Sequence, residues 1–97
     1  MEDKYKVLHH DEKFRYMLLS RLKSDCEYYL GNGNRNHKHL WAENEFEHIE
    51  VMRLLWNSFS DDAKPEWLTL KQLDNYDKQL VTNDVLKRII LNFLKEE

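Results

Sequence analysis

The residues with the most versatile chemistry are one cysteine and a few histidines. Cys26, Asp25 and His48 have the side chains of a nucleophile, an orienting acid and a base. The His37-x-His39 pair adds two more potential zinc ligands. The spacing supports neither site, since CxxC and HExxH are absent and Cys26 falls on an apolar stripe where cysteine is usually a buried hydrophobe. We therefore expect no catalytic residue, no metal site and no cofactor.

The segment 31–41, GNGNRNHKHLW, is the most individual part of the sequence. Its two glycines and three asparagines permit positive φ angles and bonds from side chains to the backbone. One interpretation is an anion site made of loop amides and Arg35, although the GxxxxGK[ST] spacing of a nucleotide loop is absent. The favoured interpretation is a connection between helices, with Gly31 in the left-handed position after a helix and Trp41 in the core. The residues here that could contact a partner are Arg35, His37, Lys38, His39 and Trp41.

Asp25 is an acid on the apolar side of the first predicted helix. A buried carboxylate is unfavourable without a partner. Arg35, which follows the glycine-rich turn by a few residues, is the first candidate partner, and the loop amides are the second. We predict a structural ion pair between Asp25 and Arg35 that fastens the loop, with Gly31, Gly33 and Asn34 shaping the turn.

The elements that must position these residues are helices, because glycine and proline are rare and no stretch alternates with a period of two. The periodicity predicts helices over about 11–30, 43–59, 70–80 and 84–95. Thr69 and Gln72 form a capping box at the start of the third. Thr82 or Asn83 could cap the fourth, although one bent helix over 70–95 remains an alternative. The predicted fold is all-α, a compact bundle of three to four helices with the first two antiparallel across the Gly-Asn loop.

Apolar residues at three- and four-residue spacing predict which side of each helix is buried. In the first helix these residues are Phe14, Leu18, Leu22, Cys26 and Tyr29. In the second they are Phe46, Ile49, Met52, Leu55, Trp56 and Phe59. In the third and fourth they are Leu70, Leu73, Tyr76, Leu80, Val85, Leu86, Ile89, Ile90, Phe93 and Leu94.

Composition limits the class of protein. The 97 residues are 41% apolar, and 15 basic against 18 acidic residues give a net charge of −3, which argues against a strongly basic nucleic-acid binder. A single cysteine excludes an internal disulfide and suits a cytoplasmic location. No apolar run is long enough to span a membrane, and the polar start is unlike a signal peptide. We expect one domain over 1–97 with a mobile N-terminus over about 1–10.

Short motifs between residues 21 and 80 occur in a specific order. They are Asp25-Cys26, Tyr29-Leu30-Gly31, Gly33-Asn34-Arg35, Leu40-Trp41, Leu55-Trp56 and Pro65-Glu66-Trp67-Leu68-Thr69. In this pattern the chain resembles the large polyvalent protein-associated domain family, the one numbered eleven in its series. The resemblance implies a bacterial mobile element or phage as the genomic context, and it implies no particular activity.

We therefore expect a non-enzymatic protein-interaction module of a mobile element or phage, with an accessory or counter-defence role. Its partner is a protein that the sequence does not identify, and homodimerisation is left open; we expect no membrane association. The alternative is a small DNA-binding protein of helix-turn-helix type. Its bases would be Lys71, Lys78, Lys87 and Arg88, but an equal number of acids lies in the same segment.

Overall fold

The computed structural model describes residues 3–95, and within that range every regular element is a helix. The four α-helices are α1 (Glu12–Leu30), α2 (Glu45–Ser58), α3 (Leu70–Leu80) and α4 (Asn83–Lys95). Short 3-10 helices occupy Lys4–His9, His37–His39, Trp41–Glu43 and Asp61–Ala63. The all-α prediction is confirmed.

Contacts between α1 and α2 show that the two helices are antiparallel. Near the start of α1, Arg15 donates to the Ser58 hydroxyl at the end of α2, at 2.6 Å. At the other end of the pair, Tyr29 of α1 donates to Glu45 at the start of α2. The predicted antiparallel arrangement across the Gly-Asn loop is therefore confirmed.

The first two helices begin where a side chain caps the exposed amides. Asp11 accepts from the Phe14 amide at 2.8 Å and caps α1, which begins at Glu12. Asn44 accepts from the Glu47 amide at 3.0 Å, so α2 begins at Glu45 and not at the predicted position 43. The physical reason is a left-handed backbone immediately before the cap, where Ala42 has a φ of 54° and its neighbour a φ of 52°.

The third and fourth helices are separate, which settles the alternative of one bent helix. Thr69 and Gln72 form the predicted capping box of α3, with bonds of 3.1 and 2.9 Å. Thr82 caps α4, because its hydroxyl accepts from the Val85 amide at 3.3 Å. Only Val81 and Thr82 lie between the two helices.

The core surrounds α2, which packs against α1, α3 and the 3-10 helix at Lys4–His9. In α1 to α3, three predicted core residues lie at the surface, since Phe14, Phe46 and Leu70 are each more than 40% exposed. In α2 the side that carries Ile49, Met52 and Leu55 is buried as predicted. Glu45 and His48 are buried with it, whereas Phe46 is 43% exposed. The buried apolar residues are Val7, Leu19, Leu22, Cys26, Tyr29, Leu40, Ile49, Val51, Met52, Leu55, Phe59, Leu68, Leu73, Leu80 and Val85.

Helix α4 departs most from the sequence prediction. Of the six apolar residues expected to pack, Val85 is buried and Ile89 is half-buried, while Leu86, Ile90, Phe93 and Leu94 are exposed. The physical reason is the absence of a neighbour, because no element in residues 3–95 covers that side of α4. The prediction of a fully packed fourth helix is wrong.

The N-terminal segment has a defined place on the bundle. Within Lys4–His9, Val7 is 2% exposed, and Lys4 forms an ion pair with Glu47 of α2 at 3.1 Å. Asp3 caps this 3-10 helix by accepting from the Tyr5 amide. Val7 therefore packs this segment on the bundle. The mobility expected for about 1–10 stays a prediction, and residues 1–2 lie outside the described range.

Candidate functional site

A buried polar junction joins α1, α2 and α4. Glu45 is fully buried, and its carboxylate accepts a bond of 2.6 Å from the Tyr29 hydroxyl and a second bond from the Arg88 guanidinium. Burial, with the Glu45 carboxylate adding to it, raises the pKa of Tyr29 to about 12, so the phenol keeps its proton and donates. Charge-assisted bonds to a desolvated carboxylate are strong. Helix α4 is therefore held to the bundle through Arg88.

Arg35 approaches this junction from the loop but does not pair with Asp25. Its guanidinium donates to the Tyr29 hydroxyl at 3.2 Å and to the Gln79 carbonyl at 2.6 Å, and it lies over the Tyr29 ring. The predicted Asp25–Arg35 ion pair is wrong. Asn34 and Arg35 have φ angles of 50° and 59°, and this turn of the backbone directs the guanidinium to the end of α3.

Asp25 lies on a different side of α1 from the junction. It is half-buried in a shallow pocket whose other walls include His39 and Trp41. It forms no ion pair with another residue of 3–95. Partial exposure to water removes the need for a buried cation that the sequence prediction assumed.

Three amides of the loop donate to carbonyls of α1, so they are not free to bind an anion. The amides of Gly31, Gly33 and Arg35 donate to the carbonyls of Glu27, Tyr28 and Tyr29, at 3.0, 2.6 and 2.8 Å. The anion site built on loop amides therefore loses its donors.

Glycine is required in this loop for a close approach and not for a left-handed angle. At Gly33 a β-carbon would lie 2.7 Å from the Tyr28 carbonyl oxygen, so a side chain cannot fit. Gly31 has a φ of −113°, which makes its predicted left-handed conformation wrong. Asn34 and Arg35, three and four residues further on, take that conformation instead.

The loop residues proposed as partner contacts divide into two groups. Arg35, Lys38 and His39 are exposed, and the His39 ring packs edge-on to Tyr28. His37 and Trp41 are half-buried. Trp41 packs on the core, and its amide donates to Nδ1 of His48 at 2.9 Å. The exposed group remains available at the surface, whereas Trp41 has a structural role.

Cys26 and His48 occupy the core and each has a packing partner. Burial raises the pKa of the Cys26 thiol to about 12, and its Sγ lies 3.5 Å from the Met52 sulfur. His48 accepts from a backbone amide at Nδ1, so its proton lies on Nε2 and is donated to the Leu22 carbonyl at 2.9 Å. Burial lowers the pKa of this imidazole. Neither ring nitrogen is left to accept a proton from Cys26, so the pair cannot act as nucleophile and base.

The histidines are also separated from one another. His37 and His39 lie on the loop, whereas His48 lies in the core. Across residues 3–95, no three side chains of the metal-binding types converge. The helices of the same range lack the length and apolar content needed to cross a bilayer.

The largest surface feature that sequence reasoning missed is the outer side of α4. Leu86 is 36% exposed, and the other members are 56–62% exposed. We call this surface the α4 outer face; it consists of Leu86, Ile90, Leu91, Phe93 and Leu94. The signal was present in the sequence, since apolar and polar side chains segregate most clearly in this helix, but it was interpreted as core.

Together these features define a small all-α domain with a polar junction around the buried Glu45 and an exposed apolar face on α4. The sequence profile of the family described as Large polyvalent protein-associated domain 11 matches residues 12–80, and the chain belongs to this family. The match covers α1 to α3, beginning nine residues before the 21–80 segment that carried the resemblance, and α4 follows it. No curated protein and no solved structure matches the chain.

Proposed function

We propose that the chain is a non-enzymatic protein-interaction module, cytoplasmic in location and accessory to a bacterial mobile element or phage. The observation that carries the proposal is the α4 outer face, where five large apolar side chains share one side of a helix. Contiguous apolar surface of this kind marks interaction sites in folded proteins. The family membership supports the genomic context, and the core positions of Cys26 and His48 support a role without catalysis.

The helix-turn-helix alternative has less support. Arg88, one of its four bases, is bound to Glu45. On α3, Asp74 and Asp77 both bind Arg53, which places two acids beside Lys71 and Lys78. The most exposed side of the would-be recognition helix is apolar, whereas duplex DNA demands cations on that side.

Co-purification tests the interaction surface directly. Tagged wild-type protein and an Ile90→Glu/Phe93→Glu variant are used as baits in a bacterial lysate, and bound proteins are identified by mass spectrometry. The matched control is Tyr5→Glu/Met17→Glu, which changes two residues that are also more than half exposed. We expect the wild type and the control to retain the same proteins and the α4 variant to lose them.

Two results would count against this function. Equal retention by the α4 variant would show that contacts occur elsewhere on the domain. The second result would come from a gel-shift assay at physiological salt. Sub-micromolar, sequence-selective binding to duplex DNA would favour the helix-turn-helix alternative.

A further inference from the structure

His48 joins the loop between α1 and α2 to the helices through both of its ring nitrogens. Nδ1 accepts from the Trp41 amide, and Nε2 donates to the Leu22 carbonyl of α1, each at 2.9 Å. The other hydrogen bonds that residues 36–43 form within the described range run to residues 33–44 of the same loop. The Trp41–His48 bond therefore fastens this stretch, which we call the 36–43 segment, to the bundle.

The backbone next to this bond is strained. Ala42 and Glu43 have left-handed φ angles of 54° and 52°, a region that these residue types rarely adopt. Such conformations persist only where the surrounding contacts hold them. Here the contacts are the burial of Leu40, the packing of Trp41 on the core and the bond to His48. Loss of that bond removes one of the three and favours relaxation of the segment.

The carboxylates around His48 favour a proton on its ring, whereas the Trp41 amide opposes it. Asp25 of α1 and Glu45 of α2 both act on the imidazole in the direction of the charged form. Glu45 already pairs with Arg88, so Asp25 is the carboxylate left to balance the charge. A proton on Nδ1 would point at the amide proton of Trp41, and the two groups could not stay in contact. The ionisable side chains of the 36–43 segment itself are the half-buried His37 and the exposed Lys38, His39 and Glu43.

We propose that protonation of His48 opens the 36–43 segment while the four α-helices stay folded. Nδ1 takes a proton from the solvent, and the Trp41 amide loses its acceptor and moves away. Water then reaches the ring, and Asp25 supplies the counter-charge. The two states differ in the order of one loop segment, which is a common form of switch that a histidine proton controls.

Opening changes the surface beside Asp25. In the closed form, Leu40 and Trp41 form part of the pocket that Asp25 lines. The exposed Lys38 and His39 belong to the same segment and move with it. The inference does not depend on the α4 outer face, which lies on another element, and it stands or falls separately from the proposed function.

Hydrogen exchange of single backbone amides, measured by NMR between about pH 7.5 and 5, separates local opening from global unfolding. The quantity compared is the protection factor, the exchange rate of an unstructured chain divided by the measured rate. At the Trp41 amide we expect protection to fall by up to about 10-fold per pH unit below about pH 6.5, because opening takes up one proton. Low concentrations of urea should leave this protection almost unchanged, since local opening exposes little surface, but should lower the protection of Leu55 in the middle of α2.

Two variants assign the proton to His48. His48→Gln cannot take it up and should remove the pH dependence at Trp41, whereas His39→Gln, a matched change within the segment, should keep it. Asp25→Asn should move the fall in protection to lower pH, and an unchanged profile would overturn the part of Asp25 as counter-charge.

Three results would overturn the switch itself. They are a protection factor at Trp41 that does not change with pH, one that keeps its pH dependence in His48→Gln, and one that equals that of Leu55 in size and in urea dependence. The last comparison uses the wild type alone, so it decides the question even if His48→Gln does not fold.

Discussion

The interior between α1 and α2 and the outer face of α4 reverse the usual distribution of side chains. In the interior, Glu45 and His48 are fully buried. On α4, Leu91 and Phe93 are 58% and 62% exposed. Polarity therefore does not decide burial in this chain. What decides it is whether a neighbouring element lies against the residue and supplies suitable contacts.

Both regions obey the same physical chemistry. Glu45 is stable in the interior because Tyr29 and Arg88 supply donors to its carboxylate. Within residues 3–95, every buried side-chain nitrogen or oxygen has a hydrogen-bond partner. Leu91 and Phe93, by contrast, lie on a helix that packs on the bundle through its other side. The interior is complete in the single chain, whereas no element of residues 3–95 covers the α4 outer face.

A leucine-to-alanine substitution in each of the two regions should give the largest difference in the free energy of unfolding. Leu55→Ala removes a fully buried side chain of α2 and should lower the free energy of unfolding by about 2–5 kcal/mol through lost burial and a cavity. Leu91→Ala removes an exposed side chain and should change it by less than about 0.5 kcal/mol. Denaturant unfolding of both variants measures the difference. A similar loss in both would show that α4 is covered within the monomer.

Removing the bond that joins the two regions should have the next largest effect. Arg88→Met leaves the Glu45 carboxylate buried with Tyr29 as its remaining donor, which should lower the free energy of unfolding by about 2–3 kcal/mol. Lys87→Met is the matched control on the exposed side and should have almost no effect on stability. The double variant Glu45→Met/Arg88→Met should recover most of the loss, because no buried charge remains. Denaturant unfolding measures these effects. An unchanged denaturant midpoint in Arg88→Met would mean that other contacts hold α4 to the bundle.

Helix positions followed closely from the sequence, because caps and periodicity are local signals. The Thr69–Gln72 box sets the start of α3 as predicted, and α1 begins one residue after the predicted position 11. The start of α2 was wrong because it depends on the left-handed Ala42, a residue type with no preference for that conformation. Glu45 is buried in place of Phe46 because Tyr29 and Arg88 donate to its carboxylate, and periodicity does not reveal those donors.

The polar junction could not be predicted from spacing, because its members come from separate segments. Arg88 lies 43 residues from Glu45, and Arg35 lies 44 residues from Gln79. Periodicity identifies the apolar side of a helix but not whether another element exists to cover it. For that reason four residues of the α4 outer face were interpreted as core together with Val85 and Ile89, and Leu91 was not included in the predicted apolar side.

The buried imidazole of His48 should make stability depend on pH. Burial lowers its pKa in the folded protein below the ordinary value of 6.5, so the unfolded chain binds a proton that the folded chain does not. The stabilisation is complete above about pH 6.5 and is lost as the pH falls, with a slope of at most about 1.4 kcal/mol per pH unit. His48→Gln should remove this slope between pH 7 and 5, whereas His39→Gln in the exposed loop should keep it. Parallel profiles for the wild type and His48→Gln would contradict the buried neutral imidazole.

The smallest expected effect concerns Asp25 and Arg35, which the sequence paired and the structure separates. Arg35 contacts Tyr29 and the Gln79 carbonyl, and Asp25 lies on another side of α1. In a double-mutant cycle of Asp25→Asn and Arg35→Gln, the coupling energy should therefore be within about 0.3–0.5 kcal/mol of zero. A cycle of Arg35→Gln with Tyr29→Phe is the positive control, because those side chains touch, and it should give a coupling above about 0.5 kcal/mol. Both cycles are measured by denaturant unfolding. A coupling energy between Asp25 and Arg35 above that of the control would contradict this arrangement. It would mean that Arg35 turns back to Asp25 on α1 and does not contact the end of α3.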